Sequence, residues 1–158
     1  MKFSKSIFLI FLAVAACTMK ATLPLVQEAE SMRKEKQYDK AVELYRTHMA
    51  NRIDDANRPQ EENPHFYHLL IGDIFLEQNN IEAAQEEYLL ALDNGVGLEA
   101  IGFRLREVAR SLEKAGKFQR AIDLLEQYRH LDDLAADTEI DRLHRAMLAA
   151  EDKQNNAK

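Results

Sequence analysis

The sequence predicts an all-α fold, and three observations support that prediction. Its 158 residues include only three prolines and five glycines, the residue types that most often interrupt helices. No segment alternates apolar and polar residues as a half-buried strand would. The rest of the composition, 46% apolar and 30% charged, is ordinary for a globular chain rich in helix formers. A chain of this length can bury a hydrophobic core of its own.

The first sixteen residues differ in kind from the rest. Lys2 and Lys5 give a basic start, and residues 7–16 (IFLIFLAVAA) form an unbroken apolar run. Ten residues rise about 15 Å as a helix, which is half of a bilayer core of about 30 Å. That length suits the apolar part of a signal peptide better than a permanent membrane span. We therefore expect a signal peptide at 1–16.

The apolar run ends in Val14, Ala15, Ala16 and Cys17, and Cys17 is the only cysteine in the sequence. These four residues resemble the lipobox of bacterial lipoproteins, which places an aliphatic and two small residues before a cysteine. The resemblance implies that the chain is cut before Cys17, that this thiol is lipidated, and that residues 17–23 form a short tether. In enteric lipoproteins an Asp directly after the cysteine is the usual signal for retention in the inner membrane. Thr18 stands at that position here, so the resemblance favours the outer membrane, with the domain facing the periplasm. The alternative is an ordinary secretory signal with a chance cysteine.

Charge restricts the kinds of partner. Loss of residues 1–16 removes two lysines and no acid, so the formal charge changes from −6 to −8. An acidic chain is poorly suited to nucleic acid or to electrostatic adhesion on anionic lipid. We expect no nucleic-acid partner, and membrane attachment through the N-terminal lipid alone.

Three segments share one internal spacing: QYDKAVELY at 37–45, NIEAAQEEY at 80–88 and KFQRAIDLL at 117–125. A small residue stands at the centre of each segment, and another lies twelve positions earlier. The central residues are Ala41, Ala84 and Ala121, and the earlier ones are Ala29, Gly72 and Ala109. Large apolar residues lie at matching offsets around them. This pattern resembles the tetratricopeptide repeat (TPR), a helix–turn–helix unit whose small residues lie where the two helices cross.

The resemblance implies an α-solenoid of about three such repeats at 24–150. The units are expected at about 22–55, 65–98 and 102–135, with a capping helix at 136–150 and a frayed polar tail at 151–158. No unit closes with the proline common in this family, and the extra residues fall between units, at 51–63 and 94–97. An array of generic helical hairpins is the alternative.

The sequence has no nucleophile elbow, phosphate-binding loop or zinc-type cysteine spacing, so we expect neither an enzyme nor a cofactor. His65 and His68 are one helical turn apart and could share a metal ion. The alternative, two polar residues flanking a packed Phe66 and Tyr67, is the one we favour. A metal-binding or enzymatic lipoprotein is therefore a remote third possibility.

In the family, the first helix of each repeat lines a concave groove that binds a peptide or a partner helix. The positions carried over are Phe66, Leu69 and Asp73 in the second unit and Phe103, Arg106 and Arg110 in the third. Phe66 and Phe103 are equivalent, and they either anchor a partner or pack under neighbouring helices. The basic pair Arg106 and Arg110 would suit an acidic partner or a terminal carboxylate. Relatives that bind the acidic tails of cytosolic chaperones have Lys and Asn at such places, so that activity is not implied.

The expected function is that of a membrane-anchored scaffold or accessory factor with a protein partner. Similar lipoproteins serve envelope assemblies such as pilus, secretion, outer-membrane or cell-wall machinery. A pilotin-like escort of a secretin subunit is the alternative.

Overall fold

The computed structural model describes residues 24–156, and within that range all of the regular structure is helical. The helices are α1 (24–34), α2 (Tyr38–Ile53), a 3₁₀ helix (Pro64–Phe66), α3 (Tyr67–Glu77), α4 (Ile81–Asp93), α5 (Leu98–Lys114), α6 (Phe118–Gln127), a second 3₁₀ helix (Arg129–Leu131) and α7 (Asp133–Asn156). The predicted all-α fold of helix–turn–helix repeats is confirmed. No helix in this range is both long and apolar enough to cross a membrane.

The chain divides into two compact units, and the boundary along the sequence falls between Pro64 and His65. The N-terminal unit, from residue 24 to 64, holds the hairpin of α1 and α2. Ala29 and Ala41 are fully buried in this unit, and Tyr45, one helical turn after Ala41, is buried as well. Both small residues therefore occupy interior positions, as the repeat spacing predicts.

The long connection after α2 is fastened by the side chain of Arg52. Its guanidinium donates to Glu62 at 2.8 Å and also pairs with Asp55. The Arg58 guanidinium donates to the backbone oxygen of Arg52 at 2.7 Å. Hydrogen bonds from Arg52 hold the pKa of Glu62 below its usual value, because they outweigh burial, which would raise it. The extra residues in this connection thus form a loop with its own ion pairs.

In the C-terminal unit, from residue 65 to 156, consecutive helices pack on one another from α3 to α7. Gly72 lies close against the ring of Tyr88 in the α3–α4 hairpin. A Cβ built on Gly72 would lie only 2.8 Å from the Cδ1 atom of Tyr88. Ala84, Ala109 and Ala121 are fully buried in the same core. The small residues therefore do permit close helix crossings.

The same backbone conformation ends the first helix of all three hairpins. Lys36, Asn79 and Gly116 have φ angles of 60°, 59° and 73° and occupy equivalent positions in the three units. At the second of these ends, the Asn79 N–H donates to the Leu76 oxygen, and the next N–H reaches back to Phe75. This pair of bonds is the Schellman arrangement, which requires a left-handed residue. The helices α1 and α5 end with the same pair of bonds.

Two predicted boundaries need correction. The helix α5 begins at Leu98, four residues before the expected start of the third unit. The capping helix was expected at 136–150, but α7 runs from Asp133 to Asn156 and includes most of the tail that was expected to fray. The Asp132 side chain accepts the Ala135 N–H at 3.2 Å, which favours a helix start at this point. Leu143 of α7 is fully buried in the core, as a cap requires.

Candidate functional site

The candidate site consists of side chains on the first helices of the two hairpins in the C-terminal unit. Phe66 ends the 3₁₀ helix that leads into α3, and Phe103 lies in the second turn of α5. Their exposed fractions are 45% and 53%. Phe66 touches the ring of Tyr67 edge-on, with centroids 6.3 Å apart. The two phenylalanines are therefore half-exposed, and the alternative that they pack in the core is not what the structure shows.

Leu69 does not belong to this surface. It is fully buried and packs in the core of the C-terminal unit. The expectation that it lines a groove is corrected by this burial. The family's helix register puts this position on the binding face, but here its apolar side chain is enclosed.

Asp73 joins three helices instead of standing free for a partner. Its carboxylate accepts the Tyr88 hydroxyl at 2.8 Å and two hydrogen bonds from Arg104, at 2.9 and 3.0 Å. The Arg104 guanidinium also lies 6.0 Å from the centre of the Tyr88 ring. These contacts connect α3, α4 and α5. Asp73 therefore fixes the position of the buried Tyr88 ring and of α5.

Arg106 and Arg110 are both paired within the C-terminal unit. Arg106 donates to Asp132 at 2.9 Å. Arg110 donates to Glu139 of α7 at 2.9 Å and also pairs with Glu107 one turn away. The structure thus corrects the picture of a free basic pair, because the guanidinium groups already meet carboxylates of their own chain.

A third arginine extends this set of ion pairs. Arg142 of α7 donates two hydrogen bonds to Glu113, at 2.8 and 2.6 Å, and two to Glu139, at 3.1 and 3.2 Å. The hydrogen bonds from Arg142 lower the pKa of Glu113. Burial alone would raise the pKa of Glu139, but hydrogen bonds from Arg142 and Arg110 outweigh it and the pKa is lowered. Both carboxylates are therefore held in their charged form.

His65 and His68, the two candidate metal ligands, make other contacts in the structure. The rings of His65 and His68 are stacked, with centroids 5.7 Å apart and planes 8° apart. The Nδ1 atom of His68 is 2.6 Å from a carboxylate oxygen of the buried Glu87. Over residues 24–156, no group of three or more His, Cys, Asp or Glu side chains is arranged to hold a metal ion. Cys17, the predicted lipidation site, lies outside the described residues.

Comparison with known proteins places the fold. No family model matches the chain, and no curated protein is significantly similar to it in sequence. Among solved structures, the TPR domain of Arabidopsis OM64 is similar, with a TM-score of 0.52 and 17% identity over 80% of this chain and 97% of that one. The chain has the TPR fold. The first TPR of Spaghetti (RPAP3), solved with the HSP90 peptide SRMEEVD bound, is also similar, with a TM-score of 0.53 and 16% identity over 80% and 93% of the two chains.

The ion pairs of Arg106 and Arg110 could not be predicted from the sequence. Arg106 is 26 positions from Asp132, and Arg110 is 29 positions from Glu139. No local helix spacing connects residues so far apart, since neighbours on a helix surface are three or four apart. The one available signal is that α5 carries three arginines in an otherwise acidic unit, and this signal does not name their partners.

Proposed function

We propose that this chain is a protein-binding module, held at a membrane surface of the bacterial envelope, that recruits a polypeptide partner through Phe66 and Phe103. The observation that carries the proposal is the exposure of the same aromatic residue at the same position of two successive repeats. A single exposed apolar residue needs no explanation. A repeated aromatic on successive first helices, however, provides two anchors of the type that dominates binding energy at protein interfaces.

The fold supports this proposal. One similar domain, the first TPR of Spaghetti, has an HSP90 peptide bound, so a domain with this fold can accept a peptide. In our chain the three arginines of α5, the helix that carries Phe103, are paired with carboxylates of the same chain. The half-exposed rings of Phe66 and Phe103 are available for apolar contact with a partner. A partner segment that covers them would remove apolar area from water at about 25 cal/mol per Å².

The membrane part of the proposal rests on the sequence around Cys17, which resembles a lipobox. Two or more acyl chains would anchor the protein firmly, since a single chain binds only marginally. The partner would then belong to an assembly in the same membrane, and this protein would act as its scaffold or accessory factor. We further propose the outer membrane, with the domain facing the periplasm.

The binding surface can be tested by site-specific photocrosslinking in intact cells. A photoreactive phenylalanine analogue replaces Phe66 or Phe103 in the full chain, and a third variant carries it at Leu148, which is 57% exposed on α7. We expect one discrete crosslinked product from positions 66 and 103 and not from 148. Equal labelling from all three positions, or none from 66 and 103, would overturn the proposal.

Alanine variants give a second readout. Phe66→Ala with Phe103→Ala should abolish recovery of the crosslinked partner, while Leu148→Ala should not. Each ring is about half exposed, so its truncation should cost the fold about 1–2 kcal/mol, below the 3–5 kcal/mol of a core phenylalanine. Circular dichroism checks that the variants stay folded. A folded double variant that retains the partner would refute this surface.

The anchor is tested separately with Cys17→Ser. Without the thiol no acyl chain can be attached, so the variant should leave the membrane fraction or accumulate as uncleaved precursor. A variant that fractionates with membranes as the parent does, after salt and detergent-free washing, would show that lipidation of Cys17 is not the anchor.

A further inference from the structure

The charge around Phe103 is one-sided. Glu99 and Glu107 lie four positions before and after Phe103 on α5, so all three side chains share one stripe of the helix. Glu99 is exposed, and the Glu107 side chain is 39% exposed. The exposed ring is therefore flanked by a carboxylate on each side, one turn away along the helix.

The three arginines on the same helix are already paired with carboxylates of the chain. Arg104 is paired with Asp73, and Arg106 with Asp132. Arg110 and Arg142 share three carboxylates, those of Glu107, Glu113 and Glu139, so this cluster keeps one negative charge in excess. Glu99 adds another. The surface around Phe103 is thus net negative although α5 carries three arginines.

The surrounding unit has the same sign. Residues 65–158 contain eighteen acidic and eleven basic side chains, a formal charge of −7. Such a field attracts a positively charged segment and repels a negatively charged one before contact. An acidic peptide could use Arg106 or Arg110 only by displacing Asp132 or Glu139. Displaced Asp132 would lose its cation, and displaced Glu139 would keep only that of Arg142, and each loss costs free energy.

From this arrangement we infer that the partner of the Phe103 surface is a basic protein segment with an apolar side chain between cationic ones. The apolar side chain packs on the ring of Phe103, and lysines or arginines on either side of it pair with Glu99 and Glu107. A guanidinium can also lie over the face of the ring. This inference rests on the proposed function, because it names the chemistry of the partner for the same surface.

The test is an unbiased selection. The full chain is immobilised and used to select from a displayed library of random twelve-residue peptides, and the enriched peptides are synthesised and their dissociation constants measured. We expect enrichment of Lys and Arg together with Leu, Phe or Trp. Glu99→Lys with Glu107→Lys should weaken these peptides at least tenfold, and 0.5 M salt should weaken their binding to the parent chain.

A matched control separates local pairing from general attraction. Glu86 and Glu126 are exposed on α4 and α6, the second helices of the two hairpins. Glu86→Lys with Glu126→Lys makes the same change in net charge, and we expect less than a threefold loss of affinity. Equal losses from both double variants would overturn the inference, since the attraction would then be unspecific.

The remaining outcomes distinguish the inference from the proposal beneath it. Acidic peptides whose binding is lost in Phe103→Ala would overturn the basic partner and leave the binding surface intact. Basic peptides that bind Phe103→Ala as well as they bind the parent would refute both. A selection that enriches no peptide at all would overturn the inference, because a linear segment would not be the ligand, and photocrosslinking at positions 66 and 103 would then decide the proposed function by itself.

Discussion

Substitution of Gly72 by alanine tests the close helix crossing at the centre of the second hairpin. The new Cβ would lie 2.8 Å from the Cδ1 atom and 3.0 Å from the Cζ atom of Tyr88, and nearer still to Cε1. Carbon atoms pack favourably at about 3.5–4.0 Å, so the ring or the helix must move. The ring has no room to retreat. Tyr88 is 1% exposed, and its hydroxyl is held by Asp73, which Arg104 holds in turn.

The magnitude follows from three contributions. Overpacking of this kind costs about 1–3 kcal/mol. Displacement of the ring also weakens a hydrogen bond to a charged acceptor, which contributes about 1.5–3 kcal/mol. Alanine favours the helix over glycine by about 1 kcal/mol, which opposes these losses. We expect Gly72→Ala to destabilise the protein by about 2 kcal/mol or more, which corresponds to about 10 °C in melting temperature for a unit of this size.

Gly102 provides the matched control. It is also a buried helical glycine, but a Cβ there would lie 3.6 Å from Leu131 and 3.7 Å from Asp132, ordinary contact distances. Gly102→Ala should therefore keep the helix advantage and leave stability unchanged or up to about 1 kcal/mol higher. Urea denaturation followed by circular dichroism measures both variants, and hydrogen exchange of α3 and α4 peptides locates the loss. If Gly72→Ala is as stable as Gly102→Ala, the crossing is not as close as we describe.

Three further predictions concern the turns and the charges. Lys36→Gly should stabilise the chain by about 0.5–1 kcal/mol in urea denaturation, because φ is 60° at a residue that disfavours it; an unchanged or lower midpoint would contradict this. Arg142→Met should reduce the loss of stability that the parent shows between about pH 5 and pH 3. The pKa values of Glu113 and Glu139 are lowered in the folded chain, so the charged carboxylates stabilise the fold above the unfolded pKa of 4.5. That stabilisation is lost as the pH falls through the lower pKa values of the folded chain, and the variant has less of it to lose. An acid limb as steep as the parent's would argue against these pairs. Burial lowers the pKa of His48, so its imidazole should titrate below 6.5 by NMR, and stability should decrease as the pH falls below 6.5, where the unfolded chain takes up the proton first. A midpoint at or above 6.5 would be inconsistent with the buried position.

The hairpins were predictable because their information is local. Small residues at a fixed spacing, such as Gly72 and Ala84, predict where two helices cross, and both are buried at that crossing. The residue type favours a left-handed turn most at Gly116 and to a lesser degree at Asn79, since asparagine also adopts this conformation. Lys36 adopts it without that advantage, since the Schellman hydrogen bonds of the helix end require it.

The position of the candidate site could be predicted from the sequence, but which of its charged side chains are available to a partner could not. The repeat register placed Phe66 and Phe103 at equivalent points, and the structure shows both partly exposed. The register also offered Leu69 as a surface residue, although burial depends on how neighbouring helices close over it. Arg106 and Arg110 looked available because their partners are far away in sequence. Tertiary contacts, which no short pattern encodes, decide whether a charged side chain remains available.

The capping helix has a second role that follows from these contacts. A terminal helix in a repeat protein is needed to cover the apolar side of the last repeat, and Leu143 of α7 serves that purpose. Asp132, which leads into α7, and Glu139 within α7 also pair with two of the three arginines of α5, Arg106 and Arg110. The segment that follows the last repeat therefore contributes to the sign of the charge at the surface of α5. A repeat with the same first helix and a neutral cap would leave Arg106 without Asp132 and Arg110 with Glu107 alone, so that surface would carry more positive charge.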